Sequence, residues 1–164
     1  RLGVGLAPKL PVTENAVMRE YRKLRRGPIL NWASARSFME RIVKEFEVKI
    51  GKREAPLAGL SGGNLQRLLL GRELSGKPDV VVASQPTRGL DVAGVGAIQR
   101  LLVQQRDEGT GVLLVSEDLD ELLALADRIL VMNEGRIVGE FDAREATRIE
   151  IGEAMMGSAA GANT

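Results

Sequence analysis

The chain of 164 residues contains no cysteine and no histidine. The first absence removes disulfides and thiol nucleophiles, and the second removes the commonest metal ligand and the commonest general base. Any catalysis must therefore use carboxylates, backbone dipoles, bound ions or a partner chain. Aromatic residues are also scarce. One Trp and one Tyr argue against a stacking platform for single-stranded nucleic acid.

Long apolar runs are missing as well. No stretch approaches the roughly 18 apolar residues of a membrane span, and no secretory pattern opens the sequence. With 44% hydrophobic and 27% charged residues, the composition is that of an ordinary globular protein. We therefore expect a soluble, cytoplasmic chain.

The net charge of +1 hides an uneven distribution of charged residues. Residues 1–53 contain 13 Lys and Arg against 5 Asp and Glu, a balance of +8 that leaves −7 for residues 54–164. The basic part is interpreted either as the solvated surface of helices or as a docking surface. An acidic partner, membrane headgroups and nucleic acid are the candidate occupants of such a surface.

The first third of the chain is predicted to be helical. Thr13 is expected to cap a helix that ends near Arg25, where Gly27-Pro28 breaks the pattern. A longer helix follows, because the apolar residues Phe38, Ile42 and Phe46 recur at helical spacing. A polar connection, residues 51–56, ends this part.

The rest of the chain alternates strand and helix. Residues 80–83, 112–115 and 129–132 are predicted strands, the first two of them buried, and helices occupy 92–106 and the segment after Asp118. Strands separated by helices indicate right-handed crossovers and a parallel sheet. Too few strands are visible to complete an open sheet.

Local signals mark several turns and helix starts in this part. Residues 133–135 are expected to turn the third strand into a hairpin with 136–141. The pairs Asp118/Glu121 and Thr147/Glu150 fit the capping-box pattern, the second pair opening a helix that ends at Gly157.

Three loops carry candidate chemistry. In Leu60-Ser61-Gly62-Gly63-Asn64, a serine and two glycines open a helix and offer amide donors that suit a phosphate. The segments Gln85–Asp91 and Ser116–Leu119 each follow a predicted strand, at the edge where α/β sheets bind ligands. Taken singly, the first loop is better explained as a helix cap with no ligand, and each of the other two is also explained as a cap or a tight turn.

The order of these segments resembles the ABC-transporter ATPase family. The matching motifs are Leu-Ser-Gly-Gly-Asn (60–64), Pro-Thr-Arg-Gly-Leu-Asp (86–91), Ala-Asp-Arg-Ile-Leu-Val-Met (126–132) and Glu-Gly-Arg-Ile-Val-Gly (134–139). Further residues are similar to the second cassette of double-cassette sugar and nucleoside importers: Gly5-Leu6, Glu14-Asn15, Asn64, Gln66, Arg67 and Arg88.

The resemblance implies a partial P-loop NTPase (RecA-like) parallel sheet, an α/β fold, preceded by the helical subdomain of the family. Residues 1–76 would form the helical subdomain with the signature loop and helix, residues 77–157 the carboxyl-terminal part of the RecA-like core, and 158–164 a disordered tail. In that family each ATP lies between the P-loop of one domain and the signature loop of the other. Ser61, Gly62, Gly63 and Asn64 would then contact a nucleotide held by a partner domain, and Asp91 would belong to the D-loop of the same interface.

The chain departs from the family pattern at three points. No Gly-x-x-x-x-Gly-Lys-Ser/Thr occurs in it, so the phosphate-cradling loop is missing and the chain is expected to be part of a longer polypeptide. Ser84 stands at the Mg²⁺-site aspartate position and Gln85 at the catalytic glutamate position. Glu117 stands where the family has its switch histidine. These substitutions imply that the domain's own nucleotide site hydrolyses ATP poorly.

The resemblance also implies cofactors, partners and a location. The full-length protein would use ATP and Mg²⁺, while no cofactor is expected to bind tightly to this chain alone. Its partners would be a second nucleotide-binding domain, permease subunits and, indirectly, an extracytoplasmic solute-binding protein, with no nucleic acid. The protein would lie peripherally at the cytoplasmic face of the plasma membrane.

Two other functions and one assembly question stay open at this point. A non-transport ABC protein acting on ribosomes or nucleic acid would use the basic amino-terminal part for binding. A truncated domain that regulates by dimerisation would use the same interface without hydrolysis. The incomplete sheet edge also leaves self-association of the chain open.

Overall fold

The computed structural model describes residues 5–52 and 55–157. The helices are α1 (Val12–Val17), α2 (Trp32–Glu45), α3 (Gly62–Leu74), α4 (Val92–Asp107), α5 (Leu119–Leu125) and α6 (Arg148–Met155). The strands are β1 (Arg25–Arg26), β2 (Ile29–Leu30), β3 (Val80–Ser84), β4 (Gly111–Val115), β5 (Arg128–Asn133) and β6 (Arg136–Asp142). This mixture of helices and strands confirms the predicted α/β class.

The chain divides into two compact units. The first runs up to Val81 and includes Pro86–Val112, and the second combines Val82–Gln85 with the chain from Leu113 onward. The tail predicted for 158–164 lies outside the described residues, as do residues 53 and 54 of the predicted polar connection. No helix within the described ranges is long and apolar enough to cross a membrane.

The first helix differs from its prediction at both ends. Pro11, not Thr13, occupies the N-cap of α1, and Thr13 is buried inside the helix, so the predicted Thr13 cap is wrong. The buried side chain of Asn15 determines the local path instead. Its Oδ1 accepts from Ala7 N at 2.8 Å, and its Nδ2 lies 3.0 to 3.1 Å from the carbonyl oxygens of Ala7, Leu10 and Pro11. Burial of the polar Asn15 side chain is favourable because the amide forms hydrogen bonds with backbone groups that water no longer reaches.

The helix predicted from the apolar row is confirmed as α2. Phe38, Ile42 and Phe46 are buried, and Ile42 and Phe46 lie against α3. The two helices approach closely at Gly71 of α3. A methyl group added there would stand 2.6 Å from Ile42 Cγ2 and 2.8 Å from Phe46 Cδ2, closer than carbon atoms can pack.

A short hairpin joins α1 to α2 where the sequence predicted only a break. β1 and β2 pair antiparallel, with Arg25 opposite Leu30 and Arg26 opposite Ile29. Gly27 takes a positive φ of 66° in the turn, a conformation that favours glycine. The predicted helix therefore ends well before Arg25.

β3 and β4 form a parallel pair, as the strand–helix–strand pattern predicted. Gly111 N donates to Asp79 O and Gln85 N donates to Val115 O, both at 2.8 Å, so both strands advance in the same direction. The prediction that both strands are buried is wrong. Val80 and Val82 of β3 and Leu113 and Val115 of β4 are exposed, because no described element covers that face.

The helix between these strands matches its prediction. Ile98 and Leu102 of α4 are buried in the first unit, and the chain leaves α4 through Gly109 at a φ of 95°. A left-handed glycine just after the last turn is a common way for helices to end.

The second unit is built on an antiparallel hairpin and a short helix. β5 pairs with β6 across the predicted turn, and among the described strands it has no parallel neighbour, so it does not extend the β3–β4 sheet as predicted. Ile129 and Val131 of β5 pack with Ile151 and Ala154 of α6 to form its core. The capping box of Thr147 and Glu150 at the start of α6 is confirmed.

Gly71→Ala is expected to lower the free energy of unfolding by about 1–3 kcal/mol. Alanine is the better helix former, but its methyl group would overlap Ile42 and Phe46. Gly96→Ala in α4 of the same unit is the matched control, since its added carbon meets only the end of the Arg100 side chain at 3.4 Å. Urea denaturation followed by circular dichroism measures both variants. A G71A chain as stable as G96A would contradict the close approach.

Protonation of Glu150 is expected to weaken the start of α6. Two hydrogen bonds from Thr147, one from its hydroxyl and one from its backbone N–H, lower the pKa of the Glu150 carboxyl below its ordinary value. The folded pKa is thus the lower one, so the stabilisation is full above the unfolded pKa and is lost as the pH falls through the folded pKa.

Carbon-detected NMR titration of the Glu150 carboxyl gives the midpoint directly. In Thr147→Ala the hydroxyl bond is removed, and the midpoint should move upward toward that of an ordinary glutamate. An unchanged midpoint would contradict the role of Thr147.

Candidate functional site

The signature loop opens α3, as the sequence predicted. Ser61 is the N-cap, and its hydroxyl oxygen accepts from Asn64 N at 3.4 Å and from Asn64 Nδ2 at 2.8 Å. Within the described residues, no hydrogen bond uses the Ser61 hydroxyl as a donor. The serine therefore keeps one O–H donor available for an acceptor outside the chain.

The loop is anchored from behind by side chains of α3. Asn64 Oδ1 accepts from Lys49 N at 2.7 Å, and Arg67 Nη1 donates to Glu47 O at 2.9 Å. The backbone groups of Lys49 and Glu47 belong to the segment that follows α2. The sequence placed Asn64 among the nucleotide-contacting residues, but the structure shows it also joining two parts of the helical region.

Of the two glycines of the loop, Gly62 lies at the surface and Gly63 is half-buried. Gly62 is exposed, and a methyl group added to Gly63 would meet no atom within 4 Å. The chain's own packing therefore does not require glycine at 63. Helix propensity would favour alanine at this position by up to about 1 kcal/mol.

The backbone turns sharply where β3 ends. Gln85 has a positive φ of 47°, although it is not glycine, and Gly89 has a φ of 71°. Pro86 is buried and Leu90 N donates to Thr87 O, which closes a turn. Non-glycine residues in this region are uncommon and their conformation costs free energy.

Asp91 caps α4, as the alternative interpretation of the Gln85–Asp91 segment predicted. Its Oδ1 accepts from Gly94 N at 2.7 Å, which leaves the carboxylate exposed at the start of a 16-residue helix. The space at Gly94 is tight, because an added methyl group would lie 3.0 Å from Asp91 Oδ1 and 3.2 Å from Leu90 Cβ, and these atoms would have to shift to admit it. Asp91 is thus both the cap of α4 and the candidate D-loop residue.

Ser84, Gln85 and Glu117 lie together in the second unit. The bond from Gln85 N to Val115 O places the ends of β3 and β4 side by side, and Glu117 follows β4 at that same edge. Ser84 and Glu117 are exposed and Gln85 is half-buried. The edge therefore presents one hydroxyl, one amide and one carboxylate.

This set of groups is a poor resident metal site. Mg²⁺ in proteins is usually held by one or two carboxylates together with substrate phosphates. Nowhere in residues 5–52 and 55–157 do three or more acidic side chains converge on a point that would hold a cation. Ser84 and Gln85 supply no negative charge, so the described residues alone do not fit the ion.

The predicted capping box of Asp118 and Glu121 forms only in part. Asp118 Oδ1 accepts from Asp120 N and Glu121 N, but Asp118 N donates to Ser116 Oγ instead of to Glu121. The carboxylate of Glu121 turns inward. Both of its oxygens are buried without a hydrogen-bond partner among the described residues, a feature that the sequence did not indicate.

Comparison with known proteins identifies several relatives. The glucose import ATP-binding protein TsgD13 of Haloferax volcanii is 45% identical over 157 residues, which are 93% of this chain and 28% of that protein. The guanosine import ATP-binding protein NupO of Bacillus subtilis is 38% identical over 94% of this chain and 31% of its own length. The chain thus spans about a third of the length of these relatives.

A solved structure shares the fold. A dimeric ATP-binding cassette in a post-hydrolysis state, bound to ADP and Pi, superposes with a TM-score of 0.67 at 26% identity, covering 86% of this chain and 60% of that one. No protein-family profile matches the chain. The relatives and the shared fold confirm the resemblance carried by the sequence motifs: the chain belongs to the ABC-transporter ATP-binding family and is similar to its sugar and nucleoside import proteins.

Proposed function

We propose that the chain is part of the ATP-hydrolysing component of a sugar or nucleoside importer and that its signature loop completes a nucleotide site on a partner domain. The observation that carries the proposal is the open surface at Gly63. Glycine is disfavoured there by helix propensity and is not needed by the chain's own packing. Gly152 inside α6 is equally open, but Gly63 lies in the first turn of α3 beside the Ser61 hydroxyl, where a group outside the chain can approach unpaired backbone N–H donors.

The chemistry of the loop suits the γ-phosphate of a bound nucleotide. The first N–H groups of α3 have no partner in the helix, and the macrodipole adds positive potential at its start. The Ser61 hydroxyl contributes a further donor on the same exposed surface. Ser61, Gly62 and Gly63 act as fixed dipoles that stabilise negative charge and not as nucleophiles.

The anchors behind the loop hold these donors in place. Asn64 binds both the Ser61 hydroxyl and Lys49 N, so a change at the exit of α2 reaches the loop through two hydrogen bonds. Fixed donors need no reorganisation when charge develops on the phosphate. Asp91, exposed at the start of α4, belongs to the same interface in this proposal.

The domain's own nucleotide site is degenerate in this proposal. The edge formed by Ser84, Gln85 and Glu117 has a neutral amide where hydrolysis needs a carboxylate near the attacking water. Glu117 places negative charge where the family has a histidine, and a phosphate would be repelled from it. This edge would bind ATP, when the rest of the site is present, without hydrolysing it efficiently.

The remaining assignments follow from the family. Residues 1–76 would form the helical subdomain, next to permease subunits at the cytoplasmic face of the membrane, and 77–157 part of the RecA-like core. The whole protein would use ATP and Mg²⁺. The chain alone contains no phosphate-cradling loop, so we expect it to bind ATP weakly and to be inactive.

Gly63→Ala tests the role of the signature loop. In the whole protein we expect transport-coupled ATPase activity to fall on the order of 10²-fold, because the methyl group occupies the space a phosphate needs. The isolated chain should be as stable as before or up to about 1 kcal/mol more stable. Together these two results separate a ligand effect from a folding defect.

Gly152→Ala in α6 is the matched control, since its added methyl group also meets no atom within 4 Å. It should leave the ATPase rate unchanged. Full ATPase activity in G63A would show that the loop does not contact nucleotide.

Restoring charge tests the degenerate site. In the whole protein with its other nucleotide site disabled, Ser84→Asp, Gln85→Glu and Glu117→His are introduced separately and together. We expect the triple variant to hydrolyse ATP on the order of 10²-fold faster, the usual contribution of a general base. Gln85→Ala, which changes the same position without adding charge, should give no gain. A triple variant no faster than its parent would refute the degeneracy.

A further inference from the structure

The segment 21–36, here called the basic hairpin, carries an unusual set of exposed side chains. It contains the chain's single Tyr and single Trp. Tyr21 is 48% exposed, Ile29 69% and Trp32 47%. Burial of such large side chains would normally contribute to a core, so their exposure in one short segment requires an explanation.

Cations surround these side chains. The segment holds Arg22, Lys23, Arg25, Arg26 and Arg36 and no Asp or Glu. Lys23 forms an ion pair with Glu20 just outside it, whereas Arg25, Arg26 and Arg36 form no ion pair with a described acidic residue. Three cations thus remain uncompensated beside the apolar groups.

The backbone holds charge and apolar surface together. Arg26 lies directly opposite Ile29 in the hairpin, and residues directly opposite each other project from the same face of the ribbon. Asn31 N donates to Leu24 O and closes the next step of the hairpin. Asn31 also caps α2 through Ala33 N and Ser34 N, so Trp32 begins a fixed helix and not a free loop.

The two aromatic side chains are amphipathic. The Tyr21 hydroxyl accepts from Arg22 Nε at 3.3 Å, and the guanidinium carbon of Arg22 lies 6.0 Å from the centre of the ring. Tyrosine and tryptophan are enriched where one end of the side chain meets an apolar phase and the other meets water. Arginine beside them matches the phosphate of a headgroup in both charge and geometry.

We propose that the basic hairpin is a contact site for anionic phospholipid, with Trp32 and Ile29 entering the headgroup region and Arg25 and Arg26 bound to phosphates. Residues 25–29 are all exposed, so the turn of the hairpin is accessible to a surface such as that of a bilayer. Single-stranded nucleic acid is disfavoured because one Tyr and one Trp make no stacking platform. The proposal goes beyond nucleotide chemistry and does not depend on the proposed function.

The single tryptophan gives a direct test with the chain itself. Titration with vesicles of phosphatidylcholine and phosphatidylglycerol should shift Trp32 emission to shorter wavelength, and phosphatidylcholine alone should not. Lipids brominated in the upper acyl chain should quench the emission. Raising the salt concentration should weaken the binding, because headgroup attraction is screened.

Arg25→Gln/Arg26→Gln should weaken partitioning to the anionic vesicles about 30-fold, since each arginine near such a surface contributes about 1 kcal/mol. The matched control is Lys77→Gln/Arg136→Gln, which removes the same charge from two exposed sites outside the segment and should bind as the parent does. Vesicle co-sedimentation provides a readout independent of fluorescence, and circular dichroism confirms that both variants fold.

Four results would each overturn the proposal. They are no shift with anionic vesicles, an equal shift with neutral vesicles, a shift without quenching by brominated lipid, and equal loss of binding in both double variants. An equally large Trp32 response to polyglutamate or duplex RNA would assign the segment to an acidic protein or a nucleic acid instead of a lipid.

Discussion

The close approach of α2 and α3 at Gly71 determines where the signature loop stands. A side chain at 71 would push the helices apart, because Ile42 and Phe46 already fill the space. With α3 held against α2, its first turn lies near the segment that leaves α2. Only then do Asn64 and Arg67 reach the backbone of residues 49 and 47. The donors of the loop are thus positioned by packing several turns away from them.

Local sequence signals identified the elements that depend on few residues. The apolar row of α2, the glycine exit of α4, the β5–β6 turn and the Thr147/Glu150 box all formed as expected. In each case the determining residues lie within about one or two turns of each other. These local patterns predicted the structure correctly because the tertiary packing around them favours the same conformation.

The wrong predictions share a physical cause, which is that the hydrogen bonds and the burial depend on groups that the local pattern leaves out. Thr13 failed as a cap because Asn15 organises the approach to α1 through the backbone of Ala7 and Leu10. The Asp118/Glu121 box formed in part because Ser116 supplied the acceptor for Asp118 N. The apolar run of β3 led to the prediction of a buried strand. Burial also needs another element packed against the strand, and the apolar run does not show that one is present. The anchors of the signature loop could not be predicted either, since Lys49 and Asn64 are linked only once α2 and α3 pack.

The bare face of the β3–β4 pair has a consequence for how the chain behaves in solution. The register of the two strands places Val82 beside Leu113, and Val115 follows on the same face of β4. All three side chains are exposed to water. Hydrophobic association between such apolar surfaces weakens on cooling and is strengthened by sulfate or phosphate salts. The isolated chain should therefore stay dispersed best in cold buffer of low salt concentration.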